Sequence, residues 1–186
     1  MVWGAFPPVH GFQLWRWDDD FNVTQNELIQ AEFSGELVGR WFSSVQAMRF
    51  KPVHWLAGWI LHRQFGLNPV AWHGFNLLLH VGVAVGFFLL LRQILARWSG
   101  EAATESMIES AAWLAAAAWA LHPLRVKSVA WVTASTYPMA TGWLLMSFAL
   151  YLRAHPPGAN GFGMKWLLGS WIAAVFAYGT YPHTVS

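Results

Sequence analysis

The chain has 186 residues, of which 56% are hydrophobic and only 11% charged, with a mean hydropathy of +0.36 and a formal net charge of +2. The charged share is less than half that of an ordinary soluble domain, so the composition is that of an all-α integral membrane protein. The 11 Lys and Arg residues are scattered rather than clustered, which leaves no nucleic-acid footprint, and the absence of cysteine excludes disulfides, thiolate catalysis and Cys-ligated metal sites.

Residues 1–15 are apolar, but Pro7-Pro8 interrupts them and Arg16 follows too soon for about 30 Å of hydrocarbon to be crossed. With no basic residue at their start they also fail as a signal peptide. Three consecutive carboxylates follow, Asp18, Asp19 and Asp20, between Arg16-Trp17 and Phe21. Such a cluster is costly near a membrane and reads either as a solvated turn or as a proton-accepting or cation-binding group at the edge of an apolar bundle. From Arg16 to Asn68 the chain holds five basic and six acidic residues, which makes it a long polar segment on one side of the membrane. Within it, Glu27 to Ala31 is a short helix. Phe50-Lys51-Pro52 opens a second one, in which Val53, Trp55, Leu56, Trp59 and Ile60 recur at helical spacing among His54 and His62, a pattern that fits a helix lying in the interface.

Val70 to Leu91 is 22 residues without a formal charge, long enough to span, and Arg92 ends it. Gly82 and Gly86 form a GxxxG step that lets a neighbouring backbone approach. Further uncharged runs extend from Ser110 to Leu124, from Ser128 to Leu152 and from Trp166 to Ser186. Residues 1–69 are therefore read as a loop region with interfacial helices. Residues 70–186 are read as a bundle of about four transmembrane helices near 70–91, 107–122, 137–152 and 166–186. The connectors 92–109 and 153–165 hold four basic residues against two near Arg125, which places the connectors in the cytoplasm and the Asp cluster outside, in a multi-pass protein of the cell inner (plasma) membrane.

On the first span His73, Asn76 and His80 lie three and seven residues apart and share one face, so they cannot all point to lipid. They either hydrogen-bond neighbouring helices or line a polar pocket beneath the acidic loop. No nucleophile elbow, HExxH helix or phosphate-cradling glycine loop is present.

Several stretches recur in one order. They are Trp17-Asp18-Asp19 with Val23 and Asn26, Phe50-Lys51-Pro52, Phe65-Gly66-Leu67-Asn68-Pro69 leading into His73 and Asn76-Leu77-Leu78-Leu79-His80, and His122-Pro123-Leu124-Arg125-Val126 with Ser128-Val129-Ala130-Trp131. This set resembles the N-terminal membrane half of the polytopic GT-C glycosyltransferases, especially bacterial relatives of the transmembrane and tetratricopeptide-repeat O-mannosyltransferases. The resemblance covers most of residues 17–153 and implies that the chain is a fragment of a longer bundle.

The resemblance further implies transfer of a sugar from a polyprenyl-phosphate donor to a hydroxyl acceptor, such as one on a protein, at the extracytoplasmic face. Asp18 or Asp19 would act as general base. His73, Asn76, His80, His122 and Arg125 would bind substrate, with cationic groups or a divalent cation such as magnesium or manganese stabilising the leaving phosphate. The family has an acidic residue where Lys127 stands, which argues against an acid–base or metal role for that loop. The family also has a span just before the Asp pair, where this chain has only 15 residues ahead of Arg16. The alternative expectation is a non-catalytic scaffold or transporter fragment whose polar face lines a permeation path.

Overall fold

Uncharged runs and the residues that bracket them account for the long helices. The structure, a computed structural model, describes residue 14 and residues 18–44, 50–100, 103–158 and 161–182. The apolar N-terminal stretch, Trp17 and the end of the last uncharged run lie outside the described residues.

Among those described, every regular element is helical. A π-helical turn at Asp20–Thr24 leads to α1 (Glu27–Gln30), α2 (Gly35–Ser43), α3 (Pro52–Phe65), α4 (Pro69–Trp98) and α5 (Glu105–Ala120). The short α6 (Val126–Ala130) is flanked by 3-10 turns at Pro123–Arg125 and Val132–Ser135, and α7 (Thr136–Ala154) and α8 (Met164–Thr180) follow.

Helix α4 starts where Asn68 accepts a hydrogen bond from the Val70 N–H at 3.0 Å and Pro69 occupies the first turn. It continues beyond Leu91, the end expected from charge, because residues 92–98 contain no Gly or Pro; Gly100, at φ +66°, lies just beyond its end. At 30 residues it is about 45 Å long. It is the one helix among the described residues that is long and apolar enough to cross a membrane. Helix α5 is capped by Thr104, which accepts from the Met107 N–H, and it ends at Ala120 because Pro123 forces His122 into an extended conformation.

Residue pairs fix the helix directions. His80 meets Ala120 and Arg92 meets Glu105, so α4 and α5 are antiparallel. Ser147 meets Ser170 and Tyr137 meets Tyr181, so α7 and α8 are antiparallel as well. Asn76 meets Trp131 while Arg97 meets the backbone of Leu152 and His155, so α4 and α7 run parallel. At the end where α4 and α7 finish, Arg97 satisfies two of the last carbonyls of α7 and its C-cap. At the other end, where both begin, α1, α2 and α3 form a layer of their own.

That layer has a core absent from the sequence reading, which saw a polar segment with one short helix and one apolar helix lying in the interface. Val23, Leu28, Ile29, Leu37, Trp41, Trp55, Leu61, Trp72 and Val132 are buried together. Indole N–H groups satisfy backbone between the short helices: Trp41 donates to the Leu28 carbonyl at 2.8 Å, Trp59 to Ala31 at 3.0 Å and Trp72 to Gly66 at 2.9 Å. Helix α3 therefore does more than float in an interface. One side is buried against α1 and α2, and Leu56 and Ile60 remain exposed.

The GxxxG pair divides its roles. A Cβ on Gly86 would meet Leu145 of α7 at 3.5 Å, whereas one on Gly82 would meet nothing within 4 Å. A tighter approach between helices is at Gly179, where a Cβ would fall 2.9 Å from Val53 Cγ2. Valine is stiff at χ1 and cannot swing away. Gly179→Ala should therefore lower stability by about 1–3 kcal/mol in thermal unfolding of the detergent-solubilised protein, while Gly82→Ala should be neutral or better. Equal stability of the two variants would contradict this packing.

Candidate functional site

The π-helical turn sorts the three carboxylates. Asn22 donates to the Asp18 carbonyl at 2.7 Å, Asn26 donates to the Asn22 carbonyl at 3.2 Å, and the Gln25 N–H reaches the Asp20 carbonyl at 2.7 Å. Consecutive helical residues point about 100° apart. Asp18 is exposed, Asp19 is fully buried, and Asp20 is half-buried with its carboxylate accepting from the Thr24 hydroxyl at 2.8 Å. The triplet is thus not uniformly water-facing.

Asp19 is held by the segment after α6. Its Oδ1 accepts from the Thr133 N–H at 3.1 Å and from the Thr133 hydroxyl at 2.5 Å. On the neighbouring peptides of that segment, Asn76 of α4 donates to the Trp131 carbonyl at 2.7 Å and to the Val132 carbonyl at 3.4 Å. Asn76 Oδ1 has no hydrogen-bond partner among the described residues. Asn76 and Asp19 therefore grip one irregular stretch, residues 131–133, through its carbonyls and its N–H respectively. Lys51, also fully buried, donates from Nζ to the Asn22 side chain at 3.1 Å and so ties the start of α3 to the π-helical turn.

A second group surrounds Trp119. His80 stacks on it with ring centroids 5.5 Å apart while its Nε2 pairs with the Ala120 carbonyl at 2.9 Å. The Arg125 guanidinium lies over the same indole, 5.1 Å from its centre. His122 stands apart: it is exposed, and its Nδ1 accepts from the Leu124 N–H at 3.2 Å, capping the 3-10 turn. His73 is fully buried on the face it shares with Asn76 and His80. Asp19 and Asn76 thus converge on residues 131–133, and His80 and Arg125 converge on Trp119. His122 and Asp18 are directed to the surface.

Sequence reasoning missed Thr133 and Trp119, and it singled out Lys51 without its contact. Thr133 lies in an uncharged run with no periodicity to mark it, Lys51 entered as part of Phe50-Lys51-Pro52, and Trp119 was one of 14 tryptophans.

No group of three or more His, Cys, Asp or Glu side chains gathers at ligand spacing among the described residues, and the three carboxylates enter three different environments. Beside the polar cluster, an apolar cleft of about 820 Å³ lies between α3, α4 and α7, lined by residues such as Ile60, Phe75, Gly82, Met139, Trp143 and Leu145. Comparison with known proteins gives no match: no family model, no curated protein and no solved structure corresponds to this chain.

If residues 131–133 are held from both sides, Asp19→Ala and Thr133→Val should not add independently. Both remove the bond between the Thr133 hydroxyl and the Asp19 carboxylate, so a double-mutant cycle on unfolding should return a coupling of about 0.5–3 kcal/mol, and a coupling of zero would remove the contact. His54, in the first turn of α3, supplies a pH test. Burial, reinforced by the nearby Lys51 cation, holds its pKa well below the ordinary 6.5. The folded state keeps it neutral while the unfolded chain takes up a proton, so stability is full above about pH 6.5 and falls as pH drops towards the lowered folded value. Unfolding temperatures measured between neutral and acidic pH should decline in the native chain and decline less in His54→Leu.

Proposed function

We propose that this chain is part of a multi-pass membrane glycosyltransferase of GT-C type, which moves a sugar from a polyprenyl-phosphate carrier to a hydroxyl acceptor at the extracytoplasmic face of the cell membrane. One observation carries the reading. Stretches that bear the resemblance are far apart in the chain, yet they come together at one end of the bundle, directly through Asn76 with Trp131 and by way of residues beside them through Asp19 with Thr133, Lys51 with Asn22 and His80 with Ala120.

The bundle reading rests on surface chemistry as well as on α4. Large apolar side chains stand exposed along α5, α7 and α8, among them Leu114, Phe148, Trp171, Ile172 and Val175. Exposed apolar surface on this scale is costly in water and is satisfied by lipid. In this reading α4, α5, α7 and α8 all span, with α4 and α7 running inward.

The chemistry assigned is a single displacement. The acceptor oxygen forms a bond to the anomeric carbon as the bond from that carbon to the phosphate oxygen breaks. The acceptor proton passes to a carboxylate, and the electron pair leaves with the polyprenyl phosphate. Asp18 is the exposed carboxylate and takes the role of base. Asp19, engaged by Thr133, positions the turn that carries it. Arg125 is the cation assigned to the departing phosphate. The apolar cleft accommodates hydrocarbon, which favours a lipid-linked substrate over a permeation path, since no polar residue lines it.

Asp18→Asn should reduce sugar release from a polyprenyl-phosphate donor by on the order of 10²-fold at matched protein amount, while thermal stability stays unchanged. Asp20→Asn should cost little. Normal turnover in Asp18→Asn would refute the assignment. For topology, single cysteines at the exposed positions Glu32 and Trp98 should label oppositely with an impermeant thiol reagent in intact cells, and equal labelling would end the four-span reading.

A further inference from the structure

Of the Asp, Glu, Lys and Arg side chains among the described residues, Asp19 and Lys51 are the two that are buried. The place of Lys51 is costly on every local count. At 1% exposure its ammonium is cut off from water. It stands at the N-cap of α3, where a side-chain oxygen would stabilise the helix and a cation opposes its dipole, and it makes no capping bond. Pro52, in the first turn of α3, keeps it out of the helical conformation, at φ −143° and ψ 55°. Helix α3 alone would be better served by Asn, Asp or Ser, so what the lysine supplies is a reach beyond its own helix.

That reach ends on the acidic turn. Lys51 Nζ donates to Asn22 Oδ1 at 3.1 Å, and Asn22 Nδ2 donates in turn to the Asp18 carbonyl at 2.7 Å. Both ends of the Asn22 amide are thereby committed, while its backbone carbonyl accepts from Asn26 at 3.2 Å. Asp18 is exposed, and its carboxylate accepts no hydrogen bond among the described residues. Its direction is therefore set by its own peptide, and the side-chain bond to that peptide comes from Asn22. We propose that Lys51 is a positioning residue for the Asp18 carboxylate, acting through Asn22. The inference rests on the transferase reading for what Asp18 does, and adds to it a buried cation that holds the base in place. Placement matters at this scale because a displacement of about 1 Å can cost on the order of 10²-fold in rate.

The test combines sugar release from a polyprenyl-phosphate donor with hydrogen exchange, which needs no substrate. Asn22→Ala and Lys51→Met should each lower kcat by about ten-fold or more with the donor KM nearly unchanged, and Lys51→Arg should recover part of the loss. In the Asp18→Asn background neither change should lower the remaining rate further, since the group being positioned is already gone; a merely structural role would lower it again. Amides of residues 20–26 should exchange faster in both variants. Asn22 is half-buried, so Asn22→Ala decides the matter even where Lys51→Met does not fold. Normal kcat in Asn22→Ala, a further loss in the Asp18→Asn background, or unchanged exchange would each overturn the inference. A rate that needs Asp18 but ignores Asn22 removes the positioning and keeps the transferase reading. Faster exchange in a protein whose sugar release ignores Asp18 keeps the tie between α3 and the turn, and removes the transferase reading and with it the role given to Lys51.

Discussion

The short stretch Trp131 to Thr133 joins the end of α6 to a single 3-10 turn, and the polar end of this protein depends on how it is held. Asn76 reaches its carbonyls from the long helix, and Asp19 receives its N–H and its hydroxyl from the acidic turn. Both grips are buried, where a broken bond leaves a polar group unsatisfied at a cost of about 1–3 kcal/mol. Val132, between them, belongs to the same apolar core as Trp41, Trp55 and Trp72. A peptide segment of three residues therefore joins the loop layer to the helix bundle by polar and apolar contacts at once.

The same geometry divides work among neighbouring carboxylates. A buried carboxylate that already accepts two hydrogen bonds is poorly placed to take a proton from an incoming hydroxyl, whereas an exposed one a single residue earlier has no such commitment. Asp18 and Asp19 are chemically identical in the sequence and differ only because a π-helical turn rotates one outwards and the other against Thr133. Paired acidic residues are in this way given opposite surroundings, one anchored in the interior and one open to solvent.

Much of the helical architecture was legible from charge alone. The four uncharged runs lie close to α4, α5, α7 and α8, although Gly82 and Gly86 stand inside α4 and Pro138 and Gly142 inside α7. The three-residue and seven-residue spacing of His73, Asn76 and His80 correctly implied a shared face, and all three are buried. Their partners were not legible, since Trp131, Val132 and Ala120 contribute backbone carbonyls, which carry no residue identity. The layer of α1, α2 and α3 was read as part of a polar segment because most of its charged side chains are exposed. Its core is assembled from small groups of apolar residues on separate elements, Val23, Leu28 and Ile29, Leu37 and Trp41, Trp55 and Leu61, Trp72 and Val132, which no single period links.

The tryptophans of that layer have a consequence of a different kind. Short helices and turns leave carbonyls that water ordinarily satisfies, yet here Leu28, Ala31 and Gly66 each receive an indole N–H from Trp41, Trp59 and Trp72. An indole brings its own hydrocarbon to the bond it makes, so the irregular backbone is sealed and insulated together. At these three carbonyls the layer is independent of hydration: they can be pressed against a poorly wetted surface without exposing a bare peptide dipole.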